Sequence, residues 1–312
     1  MGYDLENKLV IAISSRALFS LEEENRIFEK QGLKEYYQHQ LEKEHDILKP
    51  GTAFDLVNNF LAINTLFDDG KHIEVIIISR NNAATSLRIT KSIEAYNLDI
   101  VRSAWTGGEK ISKYLLPFKV DLFLSAYEDD VRDAIDVGIA AARILPFEGD
   151  RQMTLSHQVR IAFDGDAVLF SDESEQIYKL QGLDAFIAHE KENVSKSLPD
   201  GPFAKLLRVI SKIQTHFPDN TSAPIRTALI TALITARNSP AHERVIRTLN
   251  EWGVRIDEAF FLGGVDKYEI VKAFQADIFF DDQDVHLEKT SKETPSAKVP
   301  YVSSSPLFEN QS

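Results

Sequence analysis

The sequence predicts an α/β fold in which two similar units each contain a parallel sheet. Short runs of apolar and β-branched residues recur along the chain, with helical patterns between them. Alternating strands and helices are typical of α/β proteins with parallel strands. In addition, several blocks of the first half recur in the second half. The first observation predicts the fold class, and the second predicts that the fold is present twice.

Six apolar runs are predicted as strands. Because each run is apolar along most of its length, it suits a strand that is buried on both faces of a parallel sheet. The runs are 9–13, 75–78, 122–124, 159–163, 228–234 and 278–280. A helix is predicted over 241–252, since Val245, Leu249 and Trp252 fall on one stripe and Gly253 is a natural stop.

An internal repeat organises the chain. The matching segments are 10–20 with 160–171, 31–44 with 181–193, 78–98 with 234–254, and 118–126 with 274–282. The matches lie roughly 150 residues apart, as expected of a duplicated unit. Unrelated α/β units can share a hydrophobic rhythm, but they do not explain identical polar pairs such as Arg88 and Arg244. We therefore predict one unit at 1–150 and a second at 151–290.

Residues 291–312 are predicted as a tail outside the second unit. They are rich in Ser, Pro and Lys, which favours an extended segment that is partly disordered towards its end. The patch 299–301 contains Val299 and Tyr301, which can dock on the body of the protein.

Charge and composition exclude several function classes. The 312 residues carry a formal net charge of −13 and are 43% hydrophobic, as in a soluble globular protein. Nucleic-acid polymers and anionic membranes attract clustered Lys and Arg, so we expect neither as a partner. The absence of Cys excludes disulfides, thiolate metal sites and cysteine nucleophiles. A homo-oligomer remains open.

No segment resembles a targeting signal or a membrane span. The apolar run near the N-terminus contains Ser and lacks the basic region and cleavage site of a signal peptide. No apolar stretch approaches the ~20 residues that cross a bilayer. The sequence therefore predicts a cytoplasmic protein.

Pairs of acidic residues follow two predicted strands. Asp164 and Asp166 come directly after one strand, and Asp281 and Asp282 come after another. The carboxyl ends of parallel strands form the edge at which open α/β folds bind ligands. Neighbouring carboxylates repel each other, so a cation or a shared proton is expected between them, although such pairs also occur in surface turns. An oxygen-only cluster prefers Mg²⁺.

Two further positions suit an anionic substrate. Thr235 follows the run 228–234 and precedes a helix start, where a hydroxyl and backbone N–H groups can bind an anion. Lys267 follows a Gly-Gly turn at another helix start. A positive charge is disfavoured there, so we expect Lys267 to have a further purpose, with a solvated surface Lys as the alternative.

Four motifs follow one another along the chain: a strand with Asp-x-Asp, a strand with Thr, Gly-Gly with Lys, and a strand with Asp-Asp. This order resembles the four motifs of the haloacid dehalogenase superfamily, which consists mostly of phosphatases. The segments SSRALF, FDGDAVLFSDESE, ITARNSPAHERVIRTLNEWG, FLGGVDK and IFFDDQ resemble the cytosolic 5′-nucleotidase I family, from about residue 8 to about 301. The resemblance implies two Rossmann-like units of the haloacid dehalogenase type. It also implies a small helical cap at about 172–224, and hydrolysis of nucleoside monophosphates, typically AMP.

The resemblance implies a role for each matching residue. Asp164 is expected to be the nucleophile that forms an aspartyl phosphate, and Asp166 to act as acid and then as base. Thr235 is expected to bind a phosphoryl oxygen, and Lys267 to neutralise charge. The expected Mg²⁺ ligands are Asp164, Asp281, the main-chain carbonyl of Asp166 and, through water or an outer contact, Asp282.

Substrate specificity is expected to come from the cap. Phe186 and His189 lie in it, and an aromatic side chain there can stack on a base. The helical spacing of Phe186 favours a core position instead, and the match of His189 with His39 favours a structural role. Ala236 and Arg237, beside the predicted anion site, are further candidates for substrate binding.

The first unit lacks the expected catalytic carboxylates. Ser14 and Arg16 occupy the positions of the first acidic pair, and Ser125 and Ala126 occupy those of the second. Ser79 keeps the hydroxyl that the second unit has at the end of the corresponding strand. We predict that the first unit is inactive and structural, with a regulatory nucleotide site at Arg16 and Ser79 as the alternative.

Three hypotheses for function remain. The first is a Mg²⁺-dependent 5′-nucleotidase, and the second is a phosphatase for a sugar phosphate or another small phosphoester. The third is a nucleotide-binding regulator without turnover. A pure binder needs no nucleophilic carboxylate, so the presence of Asp164, Asp166 and Asp281 favours an enzyme.

Overall fold

One ten-stranded sheet runs through the computed structural model, which describes residues 3–68, 70–147, 149, 156–216 and 228–308. The strands are β1 (Leu9–Ile13), β2 (Ile73–Ser79), β3 (Arg102–Trp105), β4 (Leu122–Ser125), β5 (Ala140–Ile144), β6 (Val159–Phe163), β7 (Leu229–Thr235), β8 (Glu258–Phe261), β9 (Ile278–Asp281) and β10 (Ser296–Lys298). Their order is β3-β2-β1-β4-β5-β10-β9-β6-β7-β8. Within the described residues, only β5 and β10 pair antiparallel. This mostly parallel α/β sheet fits a Rossmann-like fold and confirms the predicted fold class.

The predicted apolar runs all fall on strands. β1 and β6 have the predicted bounds, and the other four runs lie on β2, β4, β7 and β9. The sequence pattern misses β3 and β8 because they are the outermost strands of the sheet, where half-buried and exposed residues alternate weakly. It also misses the Ala-rich β5, since Ala has no strong strand preference.

Helices connect the strands and cover the sheet. They are α1 (Ser15–Leu18), α2 (Glu22–Gln31), α3 (Leu33–Glu42), α4 (Phe54–Ile63), α5 (Leu87–Ala95), α6 (Ser112–Leu115), α7 (Glu128–Asp136), α8 (Glu173–Gln181), α9 (Leu183–Glu192), α10 (Ala204–Thr215), α11 (His242–Trp252), α12 (Lys267–Phe274) and α13 (Asp284–Thr290). Short irregular helical turns also occur at Asn64–Leu66 and Gly165–Leu169. The predicted stop after α11 is confirmed, because Gly253 ends it with a left-handed φ of 63°.

The first half of the chain, up to residue 147, and the second half, from residue 156, have the same strand order. In the first half the order is β3-β2-β1-β4-β5, and in the second half it is β8-β7-β6-β9-β10. The two orders are the same once five is subtracted from each strand number of the second half. A pair of helices follows the first strand of each half, namely α2–α3 after β1 and α8–α9 after β6.

The structure describes only part of the predicted cap and of the predicted boundary between the units. Residues 172–216 of the cap region contain α8, α9 and α10. The remaining predicted cap residues, 217–224, lie outside the described residues. So do residues 150 and 151, where the sequence predicts one unit to end and the next to begin.

The C-terminal segment differs from the prediction of an extended tail. Its residues Ser296–Lys298 form β10, which joins the two halves of the sheet by pairing with β5 on one side and β9 on the other. Val299 and Tyr301 are buried, as docking of this patch requires. The sequence does not predict this strand, because three residues in a polar segment are too few to show an apolar pattern. Residues 309–312 lie outside the described residues.

In the part of the chain that the structure describes, every helix is too short or too polar to cross a membrane.

Candidate active site

Three neighbouring strands bring acidic and hydroxyl groups to one edge of the sheet. β6 lies between β7 and β9, and all three run parallel. Asp164 follows β6 directly, Thr235 ends β7 and Asp281 ends β9. All three side chains are buried. The structure therefore places these residues at strand ends, as the sequence predicts. The two carboxylates concentrate negative charge at the carboxyl ends of the strands.

Lys267 lies at the centre of this edge. It is the first residue of α12, and its side chain is only 1% exposed. Its Nζ atom lies 2.8 Å from Oδ2 of Asp164 and 2.7 Å from Oδ2 of Asp281. The alternative of a solvated surface Lys is therefore wrong, because the ammonium group is buried between two carboxylates.

Asp164, Asp281 and Asp282 form what we call the carboxylate cluster. One oxygen from each of the three lies within 4.8 Å of the others, and all three residues are buried. Three buried carboxylates face one ammonium group, so the charges at this edge do not balance. A divalent cation with oxygen ligands would correct the imbalance, and the donor set fits a hard cation such as Mg²⁺.

Burial has a direct electrostatic consequence for the cluster. It raises the pKa of Asp164 to about 6, against the opposing effect of the Lys267 charge. Burial also raises the pKa of Asp281, and it raises that of Asp282 well above its ordinary value. Burial alone would lower the pKa of Lys267, but the charges of Asp164 and Asp281 outweigh it, so the net pKa of Lys267 is raised. Lys267 is therefore a permanent positive charge at neutral pH.

A second group of polar residues supports the cluster from the C-terminal segment. The hydroxyl of Tyr301 lies 2.7 Å from Oδ2 of Asp282 and 3.0 Å from Oε1 of Glu175 on α8. Lys179 donates a hydrogen bond of 3.0 Å to the same hydroxyl. The sequence assigns no role to Glu175 or Tyr301, because neither follows a predicted strand. Glu175 lies at the end of the segment FDGDAVLFSDESE, and Tyr301 lies in the apolar patch at 299–301.

Asp166 is held by an arginine instead of by the cluster. The Nε and Nη2 atoms of Arg237 donate to the two oxygens of Asp166 at 2.8 and 2.6 Å. Its Nη1 atom donates to Glu190 on α9 at 2.7 Å. Arg237 is 4% exposed, and the two carboxylates raise its pKa against the effect of burial. In this structure Arg237, predicted to contact the substrate, links the Asp-x-Asp motif to helix α9.

Glu190 has a second arginine partner. The Nη1 atom of Arg244 on α11 donates to Oε1 of Glu190 at 3.0 Å, and Ser174 on α8 donates to the same oxygen at 2.8 Å. The Glu190 side chain is fully buried, so its single negative charge faces two buried guanidinium groups. Sequence reasoning assigns no role to Glu190, since a Glu within a helical pattern gives no signal of burial.

The hydroxyl of Thr235 lies against the backbone of the Asp-x-Asp loop. A Cβ atom added to Gly165 would come within 3.2 Å of Thr235 Oγ1, so the loop passes this hydroxyl closely. The backbone N–H of Arg237 donates to the same hydroxyl at 3.2 Å. Ala236 lies between Thr235 and Arg237 in the sequence and is exposed. It directly follows the strand end at which the sequence predicts an anion site.

Phe186 and His189 lie on α9, and their contacts are with residues outside the carboxylate cluster. The ring of Phe186 is half-buried and packs 5.5 Å from the guanidinium of Arg237. The Nε2 atom of His189 lies 3.4 Å from Nη1 of Arg244, and its Nδ1 atom lies 3.4 Å from the amide Nδ2 of Asn193. Phe186 thus borders the arginine that holds Asp166, whereas His189 belongs to the polar contacts between α9 and α11.

Two comparisons with known proteins agree with this arrangement. The model of the 5′-nucleotidase family matches residues 1–306. Cytosolic 5′-nucleotidase 1B of Homo sapiens is 38% identical over 292 residues, which are 91% of this chain and 47% of the human protein. The chain therefore spans about half the length of this curated relative. No solved structure matches the chain significantly.

Proposed function

This chain belongs to the 5′-nucleotidase family, and we propose that it is a Mg²⁺-dependent phosphoric monoester hydrolase. Its substrates are nucleoside 5′-monophosphates such as AMP, and its products are a nucleoside and inorganic phosphate. The observation that carries the proposal is the buried ammonium of Lys267, which contacts both Asp164 and Asp281. A nucleophilic carboxylate beside a fixed positive charge is what phosphoryl transfer through an aspartyl phosphate requires.

Asp164 is the proposed nucleophile. One of its oxygens forms a bond to phosphorus, and the bond between phosphorus and the ribose O5′ breaks. Lys267 and the Thr235 hydroxyl stabilise the negative charge that spreads over the phosphoryl oxygens. The backbone N–H groups after Thr235, including that of Ala236, add further donors at this strand end.

Asp166 is the proposed acid and base. It gives a proton to the departing O5′ in the first step. In the second step it removes a proton from the water that attacks phosphorus, while the bond between phosphorus and Asp164 breaks and phosphate leaves. Arg237 positions Asp166 before the reaction through hydrogen bonds of 2.8 and 2.6 Å to its two carboxylate oxygens. The incoming phosphoryl group offers the guanidinium another anion, which frees Asp166 to move.

The residues that would hold Mg²⁺ are Asp164, Asp281 and the main-chain carbonyl of Asp166, with Asp282 in support. Bound there, Mg²⁺ would neutralise charge on the phosphoryl oxygens and orient the group for in-line attack. Asp281 also accepts a hydrogen bond of 2.8 Å from the backbone of Gln283, which fixes the orientation of its carboxylate. These contacts support a preformed cation site.

The surroundings of the site suit a cap and a duplicated architecture. We propose that the α8–α9 hairpin is the cap over the substrate, with Phe186 beside the base and His189 holding α9 to α11. The equal strand order of the two halves supports a duplication of one haloacid dehalogenase-like unit, of which the second is catalytic. The name of the human relative supports placing the protein in the cytosol.

Phosphate release from a panel of nucleoside monophosphates and sugar phosphates tests the function. We expect release from AMP or another nucleotide with Mg²⁺, and none after EDTA treatment. Turnover of a sugar phosphate with no nucleotide turned over would favour a different phosphatase. Binding of nucleotides with no phosphate release from any compound would favour a regulator.

A further inference from the structure

The first half contains a pocket at the place where the second half has its candidate active site. The cavity has a volume of about 380 Å³ and lies at the carboxyl ends of β1 and β2. Its walls include Ser15 after β1, Ser79 at the end of β2, and the glycines 107 and 108 that follow β3. A volume of this size suits a small organic molecule, for which pockets of roughly 300–1,000 Å³ are usual.

The strand-end carboxylates of the second half have no counterparts in the first half. Ser14 and Ser125 take the positions of Asp164 and Asp281, and both are buried. Ile111, which follows Gly108 at the spacing that separates Lys267 from Gly264, is 1% exposed. Neutral side chains therefore stand where the second half has two carboxylates and an ammonium group. The pocket wall does contain the carboxylate of Glu24, which is buried and paired with Arg88. This edge therefore requires no cation, and the pairing with Arg88 limits the repulsion that Glu24 exerts on an anion.

Two arginines offer guanidinium groups to the pocket. Arg16, at the position of Asp166, pairs with Glu22 at 2.9 and 2.7 Å and lies over the ring of Tyr127. Because the Glu22 side chain is 61% exposed, water screens this pair, and a phosphate can compete for the guanidinium. Arg80 pairs with the buried Asp130 and keeps 42% of its own side chain exposed.

Aromatic side chains also line the pocket. Phe28 on α2 and Tyr36 on α3 meet edge to face with their ring centroids 5.9 Å apart. Phe28 is 49% exposed, which leaves a face of its ring open. The Tyr36 hydroxyl accepts a hydrogen bond of 2.8 Å from Asn81, which also lines the pocket. Aromatic rings and two guanidinium groups in one pocket match a ligand that has a flat ring and a phosphate.

We propose that this first-half pocket binds a nucleoside phosphate, with the base against Phe28 and Tyr36 and the phosphate towards Arg16. Binding requires no metal, because among the described residues this strand edge has no cluster of carboxylates like that of Asp164, Asp281 and Asp282. The bound nucleotide is not hydrolysed there, because the position of the nucleophile is occupied by Ser14. The site is thus separate from the proposed catalytic site in the second half.

Calorimetric titration of the full chain with AMP in EDTA tests the proposal. We expect one AMP bound per chain without metal, and weaker binding of adenosine or inorganic phosphate alone. The substitutions Arg16→Gln and Phe28→Ala should each weaken AMP binding about tenfold, since a charged hydrogen bond or a stacked ring contributes about 1.4 kcal/mol or more. Tyr178→Ala is the matched control, because Tyr178 lies on α8 as Phe28 lies on α2 and is 52% exposed.

The outcomes separate this proposal from the proposed function. Metal-free binding that Arg16→Gln and Phe28→Ala weaken but Tyr178→Ala does not would support the pocket. Absence of metal-free binding, or equal binding by wild type and both pocket variants, would overturn it. AMP hydrolysis with Mg²⁺ is measured on the same samples, so either proposal can fail while the other stands. Circular dichroism of each variant confirms that it is folded.

Discussion

The two halves of the sheet arrange their strands in the same order, but the side chains at the strand ends differ in charge. In the second half, Lys267 is buried against Asp164 and Asp281. In the first half, the corresponding side chains are apolar or carry only a hydroxyl, and a cavity lies beside them. The strand order is the same in both. The comparison teaches that the backbone can supply the same edge twice, while a handful of side chains decides which charges are buried there.

A buried arginine is common to both halves, although its partners differ. Arg88 donates through Nε to the carbonyl of Asp46, and Arg244 donates through Nε to that of Lys196. Arg88 pairs with Glu24 on the first helix of its hairpin, whereas Arg244 pairs with Glu190 on the second helix of the other hairpin. The same anchoring of a hairpin is thus achieved with the negative charge on either helix.

The largest expected effect comes from removing the proposed nucleophile. Asp164→Asn should lower phosphate release by about 10⁴-fold or more, because a covalent step has no substitute. Ser14→Ala, at the corresponding position of the first half, should leave the rate of release unchanged. Rates are measured with AMP and Mg²⁺. A wild-type rate for Asp164→Asn would disprove the assignment and would leave the halves without a functional difference at this position.

The buried arginine networks should respond unequally to loss of their carboxylates. Glu190→Gln leaves Arg237 and Arg244 without their shared negative charge, so we expect the free energy of unfolding to fall by about 3 kcal/mol. Glu24→Gln should cost less, since Glu24 pairs with the single guanidinium of Arg88. Urea unfolding of both variants measures the difference. An equal cost would show that Arg237 does not depend on Glu190.

Tyr301 should matter for the cation and not for the first-half pocket. Tyr301→Phe removes the hydroxyl that contacts Asp282 and Glu175, so these carboxylates lose their orientation. We expect the Mg²⁺ concentration for half-maximal activity to rise about tenfold, as for other outer-layer contacts of metal sites. AMP binding in EDTA should not change. A variant that saturates with Mg²⁺ like the wild type would show that the hydroxyl only packs.

The smallest expected effect is the pH dependence of cation binding. In the metal-free protein, burial raises the pKa of Asp164 to about 6, so the carboxyl is protonated below that pH and ionised above it. Mg²⁺ binds the ionised form, and its affinity should therefore fall as the pH drops through about 6. Metal-free AMP binding to the first half should not follow this profile. Calorimetric Mg²⁺ titrations at several pH values provide the measurement.

Residues at strand ends could be predicted from sequence because their position depends on local pattern. Asp164, Thr235 and Asp281 each follow an apolar run, and parallel packing then brings the runs to one edge. Lys267 could be suspected because a Lys is unfavourable at a helix start. The fold class followed from the same alternation of runs, together with the repeat.

Contacts between distant segments could not be predicted. The pairing of Arg237 with Asp166 and Glu190 depends on how α9 packs against the sheet, which no local pattern encodes. Tyr301 reaches the cluster only because β10 enters the sheet between the two halves. β10 itself is too short to be identified from the sequence. Its position depends on the open edges of β5 and β9, of which β5 lies far from it along the chain.

The antiparallel pair of β5 and β10 has a consequence for the order of folding. During synthesis the first half leaves the ribosome with one side of β5 unpaired, and β9 later emerges in the same condition. Both exposed backbones are templates for pairing with other chains until Ser296–Lys298 is made and inserted between them. A segment that is synthesised after both half-sheets therefore covers their open edges and joins them into one sheet.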